Sequence, residues 1–247
     1  MPAIKDLNFF DLNYDRGTSW YADFFAGAEV SQVVGEVGHR YLRDATAAER
    51  IAATLQQPTI LVTLREPTSY VQSDWRFVQR NGRTQLDIDH YTASEFDWSS
   101  IGYRSMLEPF VERFGVGSIA VADFSLLAAD PQRYLDDVFA AIGVRPIAAS
   151  LRLDSVDNPA SGARLNGVAR ATNRASKFLK TRPGGPQAVH LAKRSRTLNR
   201  ILFTRKVADT AMSAETRERI QSAAANDIAW VDSTFGTSLH RSWYGIP

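Results

Sequence analysis

The chain has 247 residues, 44% of them hydrophobic and 23% charged, which is the balance of a globular protein long enough for one large α/β domain or two small ones. It contains no cysteine, which excludes disulfides, thiolate catalysis and cysteine metal sites, and no window approaches the roughly eighteen apolar residues of a membrane span. The net charge of +2 hides an asymmetry: twelve Lys and Arg and no Asp or Glu fall between Arg164 and Lys206, a sector that suits an anionic partner or a solvated helical face.

The first segment, Met1 to Asp6, has no apolar core and does not read as a signal peptide, so a cytoplasmic location is expected. Aromatic residues crowd the next twenty or so positions: Phe9, Phe10, Tyr14, Trp20, Tyr21, Phe24 and Phe25, with Trp20, Phe24 and Phe25 fitting one face of a short helix. Gln32 to Glu36 reads as a short buried strand ending in a turn at Gly35 to Gly38. Ala47 to Gln56 reads as a helix with Thr46 as N-cap, ended by Pro58. Thr59 to Leu64 is nearly all β-branched or apolar with no period of two, the pattern of a parallel strand covered on both faces.

A helix is expected from Pro67 to about Gln79, and another from Ser99 to Arg113, closed by Phe114-Gly115. Ser118 to Ala122 reads as a second buried strand. Pro131 suits the first position of a helix running to Ile142, with Gly143 past its end. Residues 144–186 are irregular and rich in Pro, Gly and Arg. Two further helices come after them, the last starting near Ser213, carrying Ile220, Ala224, Ile228, Val231 and Phe235 along one side, and stopped by Gly236. The alternation of strand and helix predicts an α/β sheet in one domain over 1–247, with a core at 1–143 and a basic, irregular and helical part at 144–247.

The strongest local signal is Leu64-Arg65-Glu66-Pro67, running on to Ser73, Asp74 and Trp75. A strand enters a tight turn and Pro67 opens a helix whose free N–H groups favour an anion. Arg65 stands at the carboxyl end of the strand, where ligands bind in open α/β sheets, and its guanidinium can grip a phosphate with two parallel hydrogen bonds. An ion pair of Arg65 with Glu66 or Asp74 is the structural alternative. The four histidines, His39, His90, His190 and His240, lack metal-ligand spacing, and no metal is expected.

Arg-x-Pro followed by Ser eight positions after the Arg resembles the 3'-phosphate segment of sulfotransferases that use 3'-phosphoadenosine 5'-phosphosulfate (PAPS). Arg65, Pro67 and Ser73 match it, while Tyr70 stands where the family often has a second Arg. Lys5-Asp6-Leu7-Asn8-Phe9-Phe10 resembles the Lys-Glu-x-x-Phe-Phe segment of the carbohydrate, heparan-type branch, and Tyr14, Gly17, Trp20 and Tyr21 continue the likeness. Gly35-Glu36-Val37-Gly38-His39-Arg40-Tyr41-Leu42 is similar to the family's Gly-Glu-x-Ser-Pro-x-Tyr-Leu segment at the acceptor cleft, with Gly38 and His39 in place of Ser-Pro. Phe124 to Pro131 also resembles a family segment.

The resemblance implies a P-loop-NTPase-like parallel sheet flanked by helices. It implies PAPS as sulfuryl donor and a carbohydrate or other hydroxyl or amine acceptor. Arg65 and Ser73 would hold the cofactor, Lys5 and Asp6 would be catalytic, and Glu36 and His39 would contact the acceptor. Asp6 would be the general base, although Asp is one methylene shorter than the family's Glu, a loss of roughly 1.5 Å of reach. No nucleic-acid partner is expected, and a homo-oligomer is compatible with the sequence.

The family's first strand and Gly-rich phosphate loop are expected to be missing: no G-x-x-x-x-G-K-[ST] occurs, and Arg16-Gly17-Thr18-Ser19 belongs to the aromatic run instead. A late start and a true loss both remain open as explanations. Either predicts unpaired strand edges and an open hydrophobic slot. The competing functional reading is a non-catalytic binding protein on the same fold.

Overall fold

The computed structural model describes residues 2, 6–145, 162–163, 203–204 and 211–245. Its elements in chain order are α1 (Phe9–Leu12), α2 (Gly17–Ala22), α3 (Ala45–Thr54), β1 (Ile60–Leu64), α4 (Pro67–Arg80), α5 (Ile88–Ser94), α6 (Tyr103–Phe114), β2 (Ile119–Asp123), α7 (Leu126–Ala129), α8 (Pro131–Ala141), β3 (Gly162–Ala163), β4 (Phe203–Thr204), α9 (Ala214–Phe235) and α10 (Leu239–Tyr244). The chain divides into two compact units. One comprises Met1–Glu66, Trp98–Leu153 and Ala223–Pro247; the other comprises Pro67–Asp97 and Asp154–Ser222. Lys5 and nearly all of the Arg164–Lys206 sector lie outside the described residues.

In the first unit β1 and β2 run parallel, with Ile60 opposite Ile119 and Leu64 opposite Asp123. The run Ile60-Leu61-Val62-Thr63-Leu64 is stiff at χ1 and suits a pleated strand. Cover on both faces is not what forms. Val62 and Leu64 are buried, whereas Leu61 and Thr63 on the opposite face are exposed. The period-two geometry of a strand separates the two sets, and an all-apolar sequence cannot reveal that only one face is packed. Among the described residues the sheet of this unit has two strands, so β1 is paired on one edge.

The aromatic N-terminus forms a compact cluster. Phe9 and Phe10 are buried, and the Phe9 ring stacks on Tyr21 at a centroid separation of 4.5 Å. Tyr21 is thus the inward residue of α2, while Trp20 and Phe24 pair edge-on at 4.8 Å and stay half-buried. Arg16 lies over Trp20, its guanidinium carbon 4.1 Å from the ring, so Arg16-Gly17-Thr18-Ser19 is a helix entry braced by a cation–π contact. The expected strand at Gln32–Glu36 is absent. That segment is an irregular connection with Val33 and Val34 exposed, an apolar run without a neighbouring strand to complete its backbone hydrogen bonds.

Asp44, not Thr46, caps α3: its Oδ1 accepts from the Thr46 backbone N–H at 3.0 Å and from the Thr46 hydroxyl at 2.6 Å. The expected helix from Ser99 breaks at Gly102. A 3₁₀ turn at Trp98–Ile101 precedes α6, and Asp227 accepts from the Arg104 N–H at 3.0 Å. In α9 the residues Ile220, Ala224, Ile228 and Val231 are fully buried at 3.6-residue spacing, and Gly236 beyond its end adopts φ +66°.

In the second unit α4 and α5 meet around Trp75, which is 1% exposed and donates from Nε1 to the Leu86 carbonyl at 2.9 Å. Tyr91 donates its hydroxyl proton to Asp74 at 2.5 Å, and Asp89 accepts from the Ser213 N–H and hydroxyl at the start of α9. β3 and β4 form a two-residue antiparallel pair.

Candidate functional site

Asp6 adopts φ +59° and Asn8 φ +49°, left-handed conformations that cost a non-glycine residue of order 1–3 kcal/mol unless the surroundings impose them. Two hydrogen bonds do so here. The Asn8 amide donates to the Asp6 carbonyl at 2.8 Å, and the Asp6 N–H donates to the Val37 carbonyl at 3.3 Å. The second bond ties the N-terminal segment to the Gly35–Gly38 turn. It brings the Asp6 carboxylate to the His39 ring, with Oδ1 to Nδ1 at 3.0 Å.

Glu36 sits on the inner side of the same turn. Its Oε1 accepts from the Tyr41 hydroxyl at 2.6 Å, and that hydroxyl oxygen in turn accepts from the Phe9 N–H at 2.8 Å. Burial raises the Glu36 carboxyl above the ordinary range. Hydrogen bonds from Tyr41 and Tyr21 oppose the shift, and the charges of Asp11 and Asp6 add to it. Burial, with Glu36 alongside, also pushes the Tyr21 and Tyr41 hydroxyls up, so both stay protonated donors. Arg40 pairs with Asp11 at 2.6 Å, the Asp11 side chain being 1% exposed. Arg50 reaches across from α3 to the Phe10 and Asp11 carbonyls, each at 3.0 Å.

The second cluster lies at the carboxyl ends of the strands. Arg65 comes directly after β1, its carbonyl accepts from the Tyr103 hydroxyl, and its guanidinium carbon lies 5.0 Å from the Phe124 ring centre. Phe124 is held there by its own N–H, which donates to the Leu64 carbonyl at 2.8 Å. Asp123, the last residue of β2, accepts from the Ser125 N–H at 2.8 Å, the Ser242 hydroxyl at 2.6 Å and the Trp243 indole N–H at 2.9 Å. Burial works to raise the Asp123 carboxyl, but these donors outweigh it and hold the group below the ordinary carboxylate range. The Tyr244 hydroxyl, raised by burial, faces Glu66. The short α10 is therefore bonded to the end of β2.

Asp6, Glu36 and His39 thus come together in one cluster, and Arg65 stands at the strand end as expected. Ser73 is a half-buried residue in the middle of α4, in the second unit. Asp11, Arg40, Tyr21 and Tyr41 belong to the first cluster and Asp123, Tyr103, Ser242 and Trp243 to the second; the sequence placed Tyr21, Arg40 and Tyr41 in family-like runs but gave none of these residues a role in the site. Tyr41 lies in the quoted Gly-Glu…Tyr-Leu run; nothing local marks the partners of Asp123. A guanidinium beside an aromatic ring, just ahead of Pro67 and α4, is a donor set that fits a phosphate.

No protein-family model matches the chain. Heparan sulfate glucosamine 3-O-sulfotransferase 3B1 of Mus musculus is 26% identical over 153 residues, covering 57% of this chain and 38% of its own length. The membrane-associated sulfotransferase kil1 of Dictyostelium discoideum is 25% identical over 121 residues, 44% of this chain and 26% of its own length. The chain spans well under half of these curated relatives. The crystal structure of a sulfotransferase from Alicyclobacillus acidocaldarius superposes with a TM-score of 0.64 at 18% identity, over 98% of this chain and 87% of that one, which establishes the P-loop-like sulfotransferase fold. Together, these likenesses give the chain the sulfotransferase fold and, over part of its length, a sequence similarity to heparan sulfate glucosamine 3-O-sulfotransferases.

Proposed function

We propose that the chain is a PAPS-dependent sulfotransferase that sulfates a hydroxyl or amine of a carbohydrate. The observation that carries this reading is Arg65, fixed at the carboxyl end of β1 by Tyr103 through its carbonyl and flanked by Phe124. PAPS, when bound, supplies the sulfuryl group. Arg65 would hold its 3'-phosphate with two N–H donors, as the likeness of the Arg-x-Pro segment implies. Glu36 and His39 border the acceptor, and the acceptor proton is drawn towards Asp6. Lys5, the residue before Asp6 in the sequence, takes a catalytic role by the likeness of the Lys-Glu-x-x-Phe-Phe segment.

Sulfuryl transfer asks mainly for positioning and charge stabilisation, and an ordered carboxylate cluster together with a cationic nucleotide cradle supports both. The carbohydrate acceptor is supported by the relatives, named for heparan sulfate glucosamine, and by the twelve cations between Arg164 and Lys206, which suit an anionic saccharide. The test is calorimetry with adenosine 3',5'-bisphosphate. The wild-type chain should bind it, and Arg65→Ala should bind at least about tenfold more weakly, the loss of one charge-assisted contact. Undiminished binding by Arg65→Ala removes that residue from the site.

A further inference from the structure

Resting on that reading, we infer that Asp6 and His39 work as a dyad, with His39 Nε2 as the atom that takes the acceptor proton and Asp6 as the group that orients the ring. Asp6 Oδ1 lies 3.0 Å from His39 Nδ1, so an ionised Asp6 fixes the proton on Nδ1 and leaves Nε2 with its lone pair free. The His39 side chain is 69% exposed, and Nε2 has no partner among the described residues. The other charged groups of the cluster are engaged elsewhere: Glu36 with Tyr41, and Asp11 with Arg40. Among the described residues Asp6 is therefore the charge in contact with His39.

The arrangement also resolves a problem of reach. A carboxylate on a side chain one methylene shorter than Glu falls back by roughly 1.5 Å, and a misplacement of about 1 Å can cost on the order of a hundredfold in rate. An imidazole hydrogen-bonded to that carboxylate carries the basic atom outward by the width of the ring. The left-handed backbone of Asp6, anchored by Asn8 and Val37, aims the carboxylate at His39. In the step itself the acceptor O–H or N–H proton passes to Nε2 as the acceptor atom bonds to sulfur. The bond from sulfur to the bridging oxygen breaks, and adenosine 3',5'-bisphosphate leaves with that electron pair; no oxidation state changes.

Two measurements test the dyad, one of them independent of turnover. Long-range ¹⁵N–¹H NMR of the full chain with labelled histidine should show His39 in the Nδ1–H tautomer. Asp6→Asn should release it to a mixture of the two tautomers. An Nε2–H tautomer in the wild type, or an unchanged ring in Asp6→Asn, overturns the dyad whether or not the chain turns over PAPS. In sulfuryl transfer, His39→Asn should lower kcat at least about a hundredfold with little change in KM. The same substitution should cost far less in the Asp6→Glu background, where the longer carboxylate reaches the acceptor unaided. Equal losses in both backgrounds would assign His39 to acceptor binding instead. A wild-type chain that binds no adenosine 3',5'-bisphosphate sinks the sulfotransferase reading itself, an outcome distinct from an NMR result against the dyad.

Discussion

The hydrogen-bond network around Asp123 makes a prediction whose size can be worked from its donors. Asp123 is 8% exposed and accepts from three donors, two of them on α10. A hydrogen bond to a charged acceptor contributes about 1.5–3 kcal/mol net. Trp243→Phe removes one such donor but keeps an aromatic ring near Tyr103, 6.3 Å from it between centroids, and should lower unfolding free energy by about 1.5–3 kcal/mol. Asp123→Asn removes the charge from all three bonds and turns one acceptor into a donor that faces donors; about 3–5 kcal/mol is expected.

The sign with pH is fixed by the depressed carboxyl. The stabilisation is fully present above the unfolded Asp value of about 3.9 and is lost as pH falls through the lower folded value. Urea unfolding at neutral pH and at about pH 3 measures both effects. The gap between wild type and Asp123→Asn should narrow in acid, and the double variant with Trp243→Phe should cost less than the two single losses added. A gap that stays constant with pH, or strict additivity, would refute the claim that the charge of Asp123 holds α10.

Two other predictions concern the acceptor-side cluster. Gly38→Ala would drive a Cβ into three ring atoms of Tyr41, the residue that donates to Glu36 and accepts from the Phe9 N–H; a loss of about 1–3 kcal/mol is expected, and an unchanged melting temperature would show that the ring can move aside without penalty. Glu36→Gln keeps an acceptor for Tyr41 and removes a charge that burial disfavours. A raised acid contributes most below its unfolded value of about 4.3 and loses stability as pH climbs towards the folded value, so wild-type melting should decline with pH through that window relative to Glu36→Gln. Parallel melting curves against pH would contradict the burial effect.

How much of the molecule was legible in its sequence depends on the range of the interactions involved. β1 and the start of α4 were legible because β-branched runs and Pro67 act locally, and the inward stripe of α9 was legible because its period is a property of the chain alone. The expected strand at Gln32–Glu36 failed because a strand needs a partner, and no local pattern supplies one. Thr46 and Asp44 are both good caps two residues apart, and the choice between them is made by which side chain can reach a free N–H. Asp6, Glu36 and His39 were picked out by resemblance, but the contact between Asp6 and His39 joins residues 33 apart. Asp123 and Trp243 are 120 apart, with no motif at either position, so only the fold brings that pair together.

The two halves of the proposed site are built by opposite means, and this bears on how each can be read. Arg65 inherits its position from paired backbone: β1 is bonded to β2, Phe124 to Leu64, and α10 is bonded to the end of β2. Any substitution that loosens that frame shifts the cradle and destabilises the unit together. Asp6 and His39 instead sit on irregular segments ahead of α1 and after the exposed Val33 and Val34, held by one backbone hydrogen bond, one from the Asn8 side-chain amide, and the left-handed backbone of Asp6 and Asn8. Few buried apolar contacts depend on either side chain. Changes at the dyad should therefore alter the chemistry while leaving stability nearly intact, and that separation is what makes the pair a sound place to distinguish a catalytic role from a structural one.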